Sequence, residues 1–220
     1  MTDSLILFDV DGTLVDGAAQ ICGAMRFAFL SAGAPEPDPA SIIAMIGLSL
    51  PMMVEVLTPG GDEELRAKII ASYRLRFFNM LDSEEEPPIF PGAETALRQL
   101  HRAGITLGLA TGKSRRGVEH VLEAMDWHAY FATVQLADDN PSKPDPTMIH
   151  RALSETGVSP ENAALVGDTV FDMQMAQAAG VRPIGVDWGY QPAARLYAAG
   201  AERVFSDFEA LADYMIETKR

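Results

Sequence analysis

The chain has 220 residues, 48% of them hydrophobic, enough to bury a core in one domain or in one domain plus a smaller one. Its formal charge of −14 gives a surface that repels nucleic-acid phosphates and argues against nonspecific DNA or RNA binding. Cys22 is the only cysteine, so no intramolecular disulfide can form, and no apolar run approaches the roughly eighteen residues of a membrane span.

From the N-terminus, an acidic residue and a four-residue apolar run precede Asp9. A secretory signal needs a basic start and a longer apolar stretch, so a cytoplasmic protein is expected. Residues 5–8 read as a buried strand. Residues 17–84 hold helical patterns only: apolar residues recur at 21, 25, 28 and 29, then at 65, 69, 70, 73, 77 and 81. Cys22 falls in the first of these patterns and is expected to be buried and inert. The charged, proline-rich run at 83–88 reads as a linker. Beyond it, apolar strands at 105–110, 163–166 and 183–186 alternate with helical segments at 93–102, 117–125, 146–155 and 172–179. A last strand and helix are expected at 203–205 and 207–216. Strands alternating with helices imply a doubly wound, mainly parallel α/β sheet. The expected organisation is a catalytic core of residues 1–16 and 85–220, with an all-helical cap of residues 17–84 inserted after the first strand.

Each strand ends in chemistry. The first runs into Asp9-Val10-Asp11-Gly12-Thr13, the second into Thr111-Gly112-Lys113, the third into Gly167-Asp168-Thr169 with Asp172 just beyond. Ligand sites in open parallel sheets form at the carboxyl ends of strands, so these residues should share one crevice. Several carboxylates in one crevice call for a cation, and an oxygen-rich site with few protein ligands suits Mg²⁺. Lys143 and Thr111 would supply a point charge and a hydroxyl for phosphoryl oxygens. Gly112-Lys113-Ser114 is not a P-loop, because Gly108 stands one residue too close for GxxxxGK[ST]. Lys113, Arg115 and Arg116 either help an anion approach or cover a helix surface. The four histidines have no zinc-ligand spacing.

These residues resemble the four motifs of the haloacid dehalogenase-like superfamily, in the family's order. Asp9-Val10-Asp11-Gly12-Thr13-Leu14-Val15-Asp16 resembles the first motif, Thr111 the second, Lys143 in Ser142-Lys143-Pro144-Asp145-Pro146 the third, and Gly167-Asp168-Thr169-Val170-Phe171-Asp172 the fourth. The resemblance implies a phosphatase of small phosphomonoesters. Asp9 would be the nucleophile that forms an aspartyl-phosphate, and Asp11 the acid and then the base. Mg²⁺ would sit on Asp9, the Asp11 carbonyl and Asp168, with Asp172 as ligand or support. Thr111, Gly112 and Lys143 would hold the phosphoryl group. Asp11 argues against dehalogenation, since dehalogenases of the family lack an acid there. Gly47 and Leu48 resemble the cap loop that meets substrate in capped relatives. That loop carries no arginine, which weighs against a β-phosphoglucomutase-like phosphomutase. The general pattern, including residues 110–116, resembles the phosphoglycolate phosphatase subgroup. Phosphoglycolate, pyrophosphate, a nucleoside monophosphate and a sugar phosphate all stay open as substrates. An Asp-phosphorylated signalling module fits poorly, because receiver domains lack a helical insert after the first strand.

Overall fold

A computed structural model describes residues 4–82 and 87–219. The linker expected at 83–88 therefore falls largely outside the described residues. Six strands form: β1 (Leu5–Phe8), β2 (Thr106–Thr111), β3 (Phe131–Leu136), β4 (Ala163–Gly167), β5 (Arg182–Val186) and β6 (Arg203–Phe205). The helices are α1 (Ala18–Ser31), α2 (Pro39–Ile43), α3 (Leu50–Leu57), α4 (Glu63–Leu81), α5 (Ala93–Arg102), α6 (Arg115–Met125), α7 (Thr147–Thr156), α8 (Val170–Ala179), α9 (Ala193–Ala198) and α10 (Phe208–Glu217).

The strands make one parallel sheet in the order β3-β2-β1-β4-β5-β6. β1, Leu-Ile-Leu-Phe, is buried throughout, as a central strand covered on both faces must be. Its alternation sorts the two layers. Ile6 and Phe8 pack with Leu97 of α5, Val121 of α6 and Leu211 of α10. Leu5 and Leu7 pack on the other side with Ile149 of α7 and Ala176 of α8. The chain winds outward from β1 through β2 to β3, then returns to β4 on the other side of β1. That reversal is the topological switch point, and Asp9 follows β1 directly into it.

Helices α1 to α4 form the insert, with an apolar core of their own that includes Met25, Phe29, Ile42, Val54, Ile69 and Phe77. The chain segments entering and leaving the insert run side by side. Asp16 N–H donates to the Pro88 carbonyl at 2.7 Å, Phe90 N–H donates to the Leu14 carbonyl at 3.0 Å, and Val15 and Ile89 form an antiparallel bridge.

Several elements escape the periodicity reading. β3 carries Thr133 and Gln135, both buried, so its apolar run is broken; Gln135 Nε2 donates to Thr133 Oγ1 at 3.0 Å, and Thr133 Oγ1 donates in turn to Glu155. Helices α2, α3 and α9 are five, eight and six residues long, too short to show a repeat. Cys22 is half-buried rather than buried. Burial nevertheless raises its thiol pKa, which keeps the thiolate scarce.

Candidate active site

The carboxyl ends of β1, β2 and β4 bring Asp9, Asp11, Thr111, Gly112 and Asp168 to one crevice. Lys143 reaches in from the loop before α7, and Asp172 from the first turn of α8. Asp9, Asp168 and Asp172 each offer a carboxylate oxygen, and these three atoms lie within 4.8 Å of one another. All three residues are fully or almost fully buried.

Each acid is held differently. Asp9 Oδ1 accepts from its neighbour's Val10 N–H at 2.7 Å and from Lys143 Nζ at 2.9 Å. Asp9 Oδ2 is buried and has no hydrogen-bond partner. Asp168 Oδ2 accepts from Tyr190 N–H at 2.8 Å, and its Oδ1 from Thr13 Oγ1 at 3.3 Å. Asp172 does two jobs. Its Oδ2 closes a capping box at the start of α8, accepting from Thr169 N–H and Oγ1, while its Oδ1 accepts from Lys143 Nζ at 2.7 Å. The turn after Asp9 depends on Gly12: its φ is +88°, and a Cβ there would stand 2.3 Å from Asp168 Oδ2.

One ammonium cannot balance three carboxylates. Burial pushes the Asp9 carboxyl up to about 6 against the pull of Lys143, with Asp172 adding to the rise. Burial, then Asp172 and Asp9, hold Asp168 well above the usual carboxylate range. Burial alone would lower the Lys143 ammonium, but Asp172 and Asp9 outweigh it and raise the pKa. Hard oxygen donors, surplus negative charge and the unpartnered Asp9 Oδ2 together fit a small divalent cation.

The insert closes over this crevice, leaving a cavity of about 400 Å³ lined from both sides. Gly47 and Leu48 sit directly on the second strand's end: a Cβ on Gly112 would be 2.5 Å from the Gly47 carbonyl oxygen and 2.7 Å from that of Leu48. Ser49 N–H donates to Ser142 Oγ at 2.9 Å, next to Lys143. From α4, Tyr73 and Phe77 stack at 5.5 Å and both face the cavity. Thr111 is buried, its Oγ1 accepting from Lys113 N–H at 3.2 Å.

The structure brings together the residues singled out above, with two differences. The Asp11 side chain turns away from the other three acids and pairs with Lys113, whose Nζ lies 2.8 and 3.0 Å from its two oxygens. The expected metal ligand from Asp11 is its backbone carbonyl, which this side-chain pairing leaves free of Lys113. Lys113 itself is buried and lines the cavity rather than covering a helix surface. Arg115 and Arg116 do lie on the exterior, paired with Asp139 and Asp82. The 187–191 loop after β5 was not foreseen. It supplies Tyr190 N–H to Asp168 and a buried Gln191 to the start of α8, and its place at a strand end beside the switch point was the available signal.

A parallel sheet with this acidic crevice at its switch point defines an α/β enzyme. The chain belongs to the haloacid dehalogenase-like hydrolase family, whose pattern matches residues 6–186. Within that family it is an enzyme of the phosphatase kind, a phosphoric monoester hydrolase. It is 34% identical over 207 residues to "Probable phosphatase IndB" of Dickeya dadantii, covering 93% of this chain and 90% of that one. It is 29% identical over 225 residues to the phosphoglycolate phosphatase of Psychrobacter arcticus, covering 99% and 97%. Its fold is similar to that of a hydrolase from Pseudomonas syringae, with a TM-score of 0.87, 24% identity and full coverage of both chains. Among the described residues no helix is long and apolar enough to cross a membrane.

Proposed function

We propose that the protein is a Mg²⁺-dependent phosphatase of small phosphomonoesters that works through an aspartyl-phosphate on Asp9. The observation that carries this reading is the asymmetry of Asp9. One oxygen is pinned by Val10 N–H and Lys143, and the other is buried and unpartnered, on a residue that lines the cavity. An oxygen without a hydrogen bond keeps its electron pairs for phosphorus or for a cation.

In this mechanism Asp9 Oδ2 attacks phosphorus and the ester oxygen departs with a proton from Asp11. Water then attacks the phosphorus of the aspartyl-phosphate, giving its proton to the Asp11 carboxylate, and phosphate leaves with Asp9 restored. Thr111 Oγ1 and the Gly112 N–H bind phosphoryl oxygens, and Lys143 neutralises their charge. Mg²⁺ held by Asp9, the Asp11 carbonyl and Asp168, with Asp172 in support, would screen the carboxylates and draw charge from the phosphoryl group. Residues 17–84 serve as a lid that excludes water while the paired segments around Val15 and Ile89 act as its hinge. Phosphoglycolate is the favoured substrate, because several relatives near 30% identity are named for it.

Phosphate release from p-nitrophenyl phosphate, with and without Mg²⁺, tests the mechanism in wild type and Asp9→Asn. Metal-dependent release that the substitution abolishes is the expected result. Release that survives in Asp9→Asn would remove Asp9 from the nucleophile's role.

A further inference from the structure

Lys113 lines the cavity, and it is distinct from Lys143, which serves the phosphoryl subsite. Lys143 is shared between Asp9 and Asp172. Lys113 stands on the β2 side, and both of its side-chain hydrogen bonds go to Asp11. An ammonium has three donors. The fold also makes room for this side chain. A Cβ on Gly117 would come within 3.0 Å of the Lys113 stem, and the Phe77 ring of the insert lies 5.1 Å from Nζ. The side chain is thus held between core and insert, with its charge at a wall where Ile21, Ile46, Leu48 and Met53 are apolar. Asp11 offsets part of this charge, and the exposed Arg74 of α4 also lines the cavity, so Lys113 is the buried one of two cations that an anionic substrate meets there.

We infer that Lys113 is the specificity-determining residue for the leaving group, and that it binds a carboxylate carried beside the ester oxygen of the substrate. The inference rests on the phosphatase reading above and narrows its substrate to phosphorylated 2-hydroxy acids. Position supports the short spacing. Nζ touches the carboxylate of Asp11, the group that hands its proton to the ester oxygen, so an anion bound to Nζ lies within a few ångströms of that oxygen. A phosphomonoester with a neutral body leaves this ammonium without a substrate partner, and a long one places its charge elsewhere.

The test compares 2-phosphoglycolate with 2-hydroxyethyl phosphate, which replaces the carboxylate by a neutral alcohol of similar size. Both are assayed with the full-length enzyme and Mg²⁺, in wild type and in Lys113→Met. The readout is the ratio of the two kcat/KM values, since any disturbance of Asp11 acts on both esters alike. Wild type should favour the acid by about tenfold or more, and Lys113→Met should bring the ratio to near one, chiefly through KM for the acid. A ratio near one in wild type overturns the inference, whether or not the variant folds, as does a variant that keeps the wild-type ratio. Turnover of neither ester, with p-nitrophenyl phosphate still hydrolysed, overturns it too and leaves the phosphatase reading standing. No release from any of the three esters sinks both.

Discussion

Lys143 Nζ lies 2.7 Å from Asp172 Oδ1 while the same nitrogen holds Asp9 at 2.9 Å, so the residue that caps α8 also sets the lysine against the candidate nucleophile. All three side chains are essentially without solvent exposure. Removing the lysine leaves buried carboxylates with no counter-charge, and breaking a buried pair from one side costs about 3–5 kcal/mol. Lys143→Met should therefore unfold at markedly lower urea than wild type in metal-free buffer, and Mg²⁺ should recover part of the loss. Equal urea midpoints without metal would mean the lysine does not balance this cluster. Phosphatase activity should fall by about 10²-fold or more, as expected for losing a charge stabiliser.

The acidic cluster also makes metal-free stability depend on pH in an unusual sense. Burial raises Asp9 to about 6 in the folded protein, from the ordinary value of 3.8 that the unfolded chain keeps. The folded state then binds the proton more tightly. Its contribution is present below pH 4 and is lost as pH rises through 6, by an amount on the order of 3 kcal/mol. Asp168, raised by burial and its acidic neighbours, acts in the same direction. Thermal melts without divalent ions should show Asp9→Asn gaining on wild type between pH 4.5 and 7.5. A constant difference between the two proteins across that range would contradict the shift. Mg²⁺ should stabilise wild type more at pH 7.5 than at pH 5.

Gly112 offers a test of closure that leaves every charged group in place. A Cβ there meets the Gly47 and Leu48 carbonyl oxygens at 2.5 and 2.7 Å, backbone atoms that cannot swing aside. Gly112→Ala should hold the insert away from the crevice. The expected outcome is a kcat/KM reduced by about tenfold or more, with little change in circular dichroism, since misplacement of order 1 Å already carries such a cost. Undiminished turnover would show that this contact need not form during catalysis.

On the exterior, Arg116 of α6 reaches Asp82 at the end of α4 at 2.6 and 2.8 Å and lies 4.6 Å from the Phe78 ring. The pair joins core to insert, yet its side chains are 49% and 61% exposed. Exposed pairs are worth about 1 kcal/mol or less. Arg116→Ala should accordingly shift the unfolding midpoint only slightly. A loss as large as that of Lys143→Met would mean that this contact governs the insert's docking.

What was readable in the sequence follows a physical division. β1, β2, β4 and β5 are buried on both faces and appear as unbroken apolar runs, and the chemistry stands at their ends. Helices α1 and α4 are long enough to show their period. β3 was hidden because Thr133 and Gln135 bury polar groups inside it, and α2 and α3 because each has fewer than three turns. Asp9, Asp168 and Asp172 could be gathered from strand order alone. The pairing of Asp11 with Lys113 could not, because it depends on how the Phe77 face of α4 settles over a β2 loop. Contacts between two packed units are set by side-chain shape, which linear patterning does not encode.

The position of β1 in the sheet also orders events in time. Leu5 pairs with Thr106 on one side and Ala163 on the other, so β1, made before both partner strands, cannot gain both neighbours until Ala163 has been added. Such distant pairings are slow to close, whereas α1 and α4 need only local sequence. The insert can therefore be complete while the sheet still lacks its centre. Asp9 is synthesised well before Lys143, Asp168 and Asp172 and reaches its final surroundings only after them, which spares the nascent chain a buried cluster of charge before Lys143 is there to meet it.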